Sequence, residues 1–296
     1  MNTSERILVI LNPAAKSEKA SHLHARIEAL SPRVAVRITN SAGDAEAMAE
    51  HAVDQGYKTI VAAGGDGTIN EVVNGLAGRD VTFGMLPVGT MNVFSTELGI
   101  PQNNLQRAWD VIEQGYCREV DLGVANDEYF VQLAGAGLDA EVVKATTPDF
   151  KKALGPMSYL INLAQVAARK PPTIAITPFD GPRREGSFVL VGNGRYYGGP
   201  FVLFKEARLD DGLLDVLVFQ NQGHLDLLRY MQAIAFGMHP ELPDVEYFQT
   251  TGLRLESEDA VPAEVDGELS GSLPYSIRLA PTKLRVLAPA PDTIEG

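Results

Sequence analysis

Apolar and polar positions alternate in a repeating order from the start of the chain to about Gly123. The runs RILVIL (6–11), VAVRI (34–38) and TIVAA (59–63) are short, rich in β-branched residues and bounded by polar ones. The stretches between them, 18–30 and 44–55, place apolar residues at three- and four-residue steps. Strand-length runs separated by helix-period segments predict a βαβαβ order and a parallel sheet. The pattern continues with a helix from about Thr68, a strand near 82–86 and a helix near 104–114 that buries Trp109. Beyond Gly123 it changes. YFVQLAG (129–135), PTIAITP (172–178), SFVLVGN (187–193), LLDVLVF (213–219), LRLES (253–257), YSIRLA (275–280) and LRVLA (284–288) are short runs bounded by Gly, Pro, Asn and Asp. They predict a mainly antiparallel second domain, interrupted by helical insertions at about 150–169 and 223–236.

Composition narrows the class. A chain of 296 residues with 45% hydrophobic and 21% charged residues can bury two cores without covalent staples. Its single cysteine, Cys117, cannot form an internal disulfide, and a buried or inert thiol, not a nucleophile, is the expectation. The first apolar run is too short for a secretory leader and ends at Asn12-Pro13; the uncharged stretch 153–168 is broken by Gly, Pro and Ser. A cytoplasmic protein without a spanning segment is expected. A formal charge of −13 argues against a general nucleic-acid binder.

The chemistry concentrates in VAAGGDGTINEVVNGL (61–76). Gly64, Gly65 and Gly67 stand between a strand and a helix, where bare main-chain N–H groups and the positive helix end suit an anion. Asp66 among them would repel phosphate unless a cation intervenes, which suggests Mg²⁺. LPVGTMNVF (86–94) repeats the design one strand later. In open α/β sheets ligands bind at the carboxyl ends of strands, so Thr68, Thr90 and Asn92, with Asn12 and Lys16 from the first loop, are expected to converge on a nucleotide.

GGDGT followed by I-N-E-V, the early N-P, and L-P-x-G-T-x-N closely resemble the diacylglycerol kinase catalytic-domain family, particularly its bacterial soluble lipid kinases. ARLDDGLLDV (207–216) resembles that family's D-D-G-x-L-D segment and VDGE (265–268) its D-G-E, so the matches run in family order from residue 12 to residue 268. The resemblance implies an α/β nucleotide-binding domain of Rossmann-like parallel sheet (1–123) and a larger mainly antiparallel β-sandwich domain for the acceptor (124–282). It also implies a C-terminal segment (283–296) that returns to the first domain. ATP is implied at Asn12, Thr39, Gly64, Gly65, Asp66, Gly67, Thr68, Asn70, Glu71 and Thr90. A structural Mg²⁺ is implied at Asp211 with the carbonyls of Arg208 and Leu213, Asp121 is implied near the active-site metal, and Glu268 is implied as proton acceptor. Three positions depart from the family: Lys16 replaces a common Gly, Val93 stands where many relatives have Asp, and Glu97 where they often have Arg.

The implied reaction transfers the γ-phosphoryl group of ATP to a lipid hydroxyl, with Asp66 orienting Mg²⁺ and Glu268, lifted in pKa by partial burial, as base. On a strand, positions 266 and 268 share a face, so Asp266 remains a rival base. Tyr196 and Tyr197 line the acceptor entrance or pack the β-domain. A lipid substrate implies transient contact with a membrane surface; the lipid's identity and the oligomeric state stay open. The alternatives are a NAD kinase-like enzyme, which leaves DDGLLD and DGE unaccounted for, and a non-catalytic nucleotide- or lipid-binding regulator.

Overall fold

The computed structural model describes residues 6–13, 20–102, 104–145 and 170–291; Lys16 and the helical insertion expected at 150–169 lie outside them. The chain forms two compact units, Met1–Leu122 with Gly198–Pro200 and Ala280–Gly296, and Gly123–Tyr197 with Phe201–Leu279.

The first unit follows the predicted alternation: β1 (Ile7–Leu11), α1 (Ala20–Glu28), β2 (Val34–Ile38), α2 (Asp44–Asp54), β3 (Thr59–Gly64), α3 (Asp66–Leu76), β4 (Thr82–Pro87), α4 (Val93–Glu97), α5 (Leu105–Gln114) and β5 (Cys117–Val120). β2, β1, β3 and β4 are parallel neighbours in that order. The continuous apolar runs of β1 and β3 are buried throughout, as strands covered on both faces must be, whereas β2 is half-buried at the edge. Helix α5 is bounded by local chemistry. Asn104 accepts a hydrogen bond from Arg107 N–H at 3.0 Å, and Gly115 ends the helix with φ 69°. Between them Trp109, Ala108, Val111 and Ile112 face the core. The chain's last strand, Leu284–Leu287, lies between β4, which it parallels, and β5, which it opposes. Cys117 is exposed on β5, not buried, because that strand closes the edge of the sheet.

The second unit is an antiparallel sandwich. Its strands are β6 (Gly123–Ala125), β7 (Glu128–Phe130), β8 (Leu133–Ala136), β9 (Ile174–Pro178), β10 (Arg184–Gly186), β11 (Phe188–Gly192), β12 (Tyr196–Tyr197), β13 (Phe201–Val202), β14 (Leu214–Phe219), β15 (Val245–Thr250), β16 (Gly252–Glu256), β17 (Pro262–Val265), β18 (Glu268–Ser272) and β19 (Tyr275–Leu279), with Leu284–Leu287 as β20. One sheet runs β10-β9-β16-β19-β6-β7, the other β15-β14-β11-β8-β17-β18. Ile174, Val189, Val191, Val216, Leu253, Ala263 and Ile277 belong to the core cluster of this unit. A further cluster joins the second sheet to helices α6 (Leu138–Ala145) and α7 (His224–Ala235), centred on Phe188 stacked on Phe219 at 4.3 Å. The run YFVQLAG does not form one strand. It divides into β7 and β8, which belong to different sheets. At the break the N–H groups of Val131, Gln132 and Leu133 all donate to the Asp266 carboxylate, at 2.9–3.0 Å. No helix among the described residues is long and apolar enough to cross a membrane.

Candidate active site

Four parallel strands end at one edge of the first unit's sheet, and each is followed there by a residue singled out in the sequence. Asn12 follows β1, Thr39 follows β2, Gly65 to Thr68 follow β3, and Val88 to Asn92 follow β4. The loops are tied to one another. Asn12 Nδ2 donates to Thr68 Oγ1 at 3.0 Å, Asn12 N–H to Ala63 O at 3.0 Å and Thr39 N–H to Leu11 O at 3.0 Å. The N–H groups of Val88 and Gly89 both donate to Gly64 O, at 3.0 and 3.1 Å.

The glycines permit this closeness. A Cβ on Gly64 would fall 2.5 Å from Thr68 Oγ1, and one on Gly89 would overlap the Cα of Gly65. A Cβ on Gly65 would stand 3.4 Å from Gly89 Cα, an ordinary contact, so Gly65 leaves its amide open rather than relieving a clash. Gly65 caps α3 in extended backbone, which presents the first N–H groups of the helix at the turn.

Asp66 Oδ1 accepts from Val93 N–H at 2.7 Å, bridging the two glycine loops. Burial raises its pKa above the ordinary carboxylate value, against the lowering effect of amide hydrogen bonds from Val93, Asn92 and Phe94. Asn92 differs from expectation. It sits at φ 49°, is buried, and turns both side-chain polar atoms onto Gly89: Oδ1 accepts from its N–H at 3.1 Å and Nδ2 donates to its carbonyl at 2.9 Å. It shapes the loop, while the neighbouring Thr90 is exposed. On α3, Glu71 Oε2 accepts from Ala45 N–H at 3.0 Å in the first turn of α2, and Asn70 O accepts from Asn74 Nδ2. Asp121, which the resemblance associates with a metal, is met by Lys283 Nζ at 2.9 Å.

A second constellation lies in the sandwich. Asp266 and Gly267 have φ 47° and 84° between β17 and β18, the two positive values of a type I′ hairpin. Asp266 is therefore a turn residue and not a strand neighbour of Glu268, and its carboxylate is engaged by three amides of the β7–β8 link. Glu268 starts the edge strand β18 and is exposed, so the expected partial burial is not found.

The enclosed acids are two that the sequence reading passed over. Glu264 lies opposite Gly135, where a Cβ would stand 2.9 Å from Glu264 Oε1, and is wholly buried; its Oε2 accepts from Gly267 N–H at 2.7 Å. Burial, and then the charge of Asp139 on α6, raise the Glu264 pKa well above the ordinary value. Asp139 is likewise raised by burial and accepts a hydrogen bond from Tyr197 O–H. The two carboxyls face each other, so one proton between them satisfies an oxygen that otherwise lacks a donor. The sequence signal was an acid inside the apolar run VPAEV.

In ARLDDGLLDV, Asp211 Oδ1 accepts from Leu213 N–H at 3.1 Å, and the Arg208 guanidinium reaches Asp210 at 3.5 Å. Asp215 is buried beneath them, bonded to Tyr247 and Gln249. Burial raises its pKa, and the charges of Asp211 and Glu206 add to the rise. Asp211 thus offers one carboxylate oxygen beyond the one that Leu213 N–H occupies, a hard oxygen of the kind a divalent cation takes. Among the described residues no three His, Cys, Asp or Glu side chains cluster as a metal site, either in this loop or at the glycine turn. Asp66 alone suits an ion shared with substrate phosphates and water, not a cage built by protein.

Comparison with known proteins covers nearly the whole chain. Residues 6–125 match the diacylglycerol kinase catalytic domain, and residues 132–288 the YegS C-terminal NAD kinase beta sandwich-like domain. The diacylglycerol kinase of Bacillus subtilis (strain 168) is 30% identical over 278 residues, 91% of this chain and 92% of the relative. That of Staphylococcus carnosus (strain TM300) is 30% identical over 293 residues, 96% and 95%. The crystal structure of a diacylglycerol kinase from Bacillus anthracis str. Sterne superposes with a TM-score of 0.80 at 27% identity, covering 97% of this chain and 98% of that one.

Proposed function

The chain belongs to the diacylglycerol kinase catalytic-domain family and is a lipid kinase, and from that footing we propose that it moves the γ-phosphoryl group of ATP onto the free hydroxyl of diacylglycerol. The observation that carries this reading is the meeting of four strand ends at one sheet edge, with the backbones of Gly65 and Gly89 in contact. Phosphoryl transfer asks a protein mainly for positioning and charge neutralisation, and a floor of main-chain amides supplies the first. The triphosphate lies along Gly64 to Thr68, with Asn12, Thr39, Asn70 and Thr90 around it. Glu71 and Asn92 hold these loops in place.

Asp66 would hold a Mg²⁺ shared with the phosphates, and that ion would supply charge neutralisation for the transfer. Glu268 takes the acceptor hydroxyl's proton; Asp266, fixed by three amides, is the poorer base. Arg208, Asp211 and Leu213 would hold a second Mg²⁺, whose charge would offset the crowding of Asp211 and Glu206 around Asp215. The enzyme works from the cytoplasm at the inner membrane surface, where its acceptor resides.

A nucleotide-binding regulator without transfer is the second reading, favoured by Val93 in place of a family carboxylate and by Lys283 against Asp121. The test incubates the protein with ATP labelled at the γ-phosphorus, vesicles containing diacylglycerol, and NAD as competing acceptor. Label in phosphatidic acid is the expected result. Label in NADP, or in no acceptor while ATP still binds, overturns it.

A further inference from the structure

Helix α7 is apolar on both sides. Leu227 and Tyr230 are buried against the second sheet, as one apolar face of a surface helix should be. The opposite face is apolar too. Leu225, Leu228, Met231 and Ala235 follow at three- and four-residue steps and are all exposed, Leu225 by 82%. The stripe continues past the helix end into Phe236, 80% exposed, and Met238, 52% exposed. Beside α7 the ribbon strand β13 adds exposed Phe201 and Val202. On the helix no charged side chain separates Leu225, Leu228, Met231 and Ala235, while past its end the Lys205 ammonium lies beside Gly237, between Phe236 and Met238; Arg229, on the flank, is engaged by Asp226 at 3.2 Å and by Asp244. Single exposed apolar residues are ordinary on a protein surface, but a continuous row of this kind marks a binding face.

We propose that the outward face of α7, extended by Phe236, Met238, Phe201 and Val202, docks the sandwich unit onto a lipid bilayer by inserting apolar side chains between headgroups. The proposal rests on the lipid-kinase reading for its choice of occupant, because a lipid acceptor is found in a bilayer. The size of the face and the charge of the protein set how it would bind. The helical part of the stripe is about 18 Å long and one helix wide; with Phe236, Met238, Phe201 and Val202 the exposed face approaches the about 800 Å² per partner of a stable dimer, so a second copy is the rival occupant that the test separates. The protein also carries a formal charge of −13, which opposes attraction to anionic lipid. Adhesion must then come from apolar insertion and should resist salt.

The test uses the full chain, without ATP, in sedimentation with vesicles of phosphatidylcholine, alone or mixed with phosphatidylglycerol. Wild type is expected to bind both, and to stay bound in about 1 M salt, where the Debye length is about 3 Å. The Leu225→Ser/Leu228→Ser double variant and Phe236→Ser are expected to lose about tenfold or more of that binding. These side chains are outside the fold's core, so the melting temperature should not move. On vesicle-borne diacylglycerol the variants' KM should rise, while turnover of a water-soluble short-chain diacylglycerol stays at the wild-type rate. Equal binding by variants and wild type overturns the proposal, as does binding lost in salt. So does a wild-type dimer that the variants dissolve, which would make a second copy the occupant, or a wild type that ignores vesicles, which would mean the stripe is covered otherwise. Failure of wild type to phosphorylate the short-chain compound would instead sink the acceptor reading and leave the vesicle result standing.

Discussion

Asp266 and Glu268 stand two residues apart in one hairpin, yet their surroundings give them different work. The Asp266 carboxylate closes the break between β7 and β8 by accepting from three successive amides, while Glu268 projects from an edge strand. Replacing Asp266 by Ala leaves those N–H groups without their acceptor and should cost about 3 kcal/mol or more of stability, read by urea unfolding. Glu268→Gln should leave stability nearly unchanged and lower kcat by about 10²–10⁴. The reverse pattern, a stable but inactive Asp266→Ala and an active Glu268→Gln, would make Asp266 the base. None of this division was visible in the sequence, where alternation along a strand put both acids on one face. The deciding facts are two positive φ angles and a partner segment more than 130 positions away. GGDGT was legible because bare glycines have few structural uses in a row. Asn92 misled because a side chain that folds back on its own loop looks the same in one-letter code as one that reaches a ligand.

At the scale of elements, the β17–β18 hairpin is supported from below by Glu264, which holds the Gly267 amide and shares a proton with Asp139 on α6. The sign of its pH effect follows. The folded pKa of Glu264 lies well above the unfolded value of 4.5, so its contribution is complete below that value and is lost as pH rises through the folded pKa. Asp266 and Tyr197 are titratable groups that act on the pair. Wild type should therefore melt at progressively lower temperature, relative to Glu264→Gln, as pH is raised from about 5 to 8. Parallel melting curves for the two proteins across that range would show that the acids do not share a proton. The helix-period segments and apolar runs of the first unit were legible because local period and burial agree there. In the second unit β15, β17 and β18 escaped notice, since VEYFQT, PAEV and ELSGS carry polar or small residues whose strand state depends on neighbours distant in sequence. YFVQLAG was misread as one strand for the same reason.

The whole molecule joins a parallel α/β sheet to an antiparallel sandwich, and the change of apolar pattern near Gly123 announced that division of fold class. The apolar pattern alone did not show β20 pairing with β4 and β5 in the first sheet, because LRVLA reads like any strand of the sandwich; only the family resemblance implied that return. The account's central claim is that triphosphate rests on main-chain amides at the β3–α3 turn. Amide-resolved NMR with a non-hydrolysable ATP analogue and Mg²⁺ tests it directly. The largest shifts should fall on Gly65, Asp66, Gly67 and Thr68, with smaller ones at Asn12 and Thr90. Saturable binding that leaves those four amides unmoved, with shifts elsewhere, would contradict the claim.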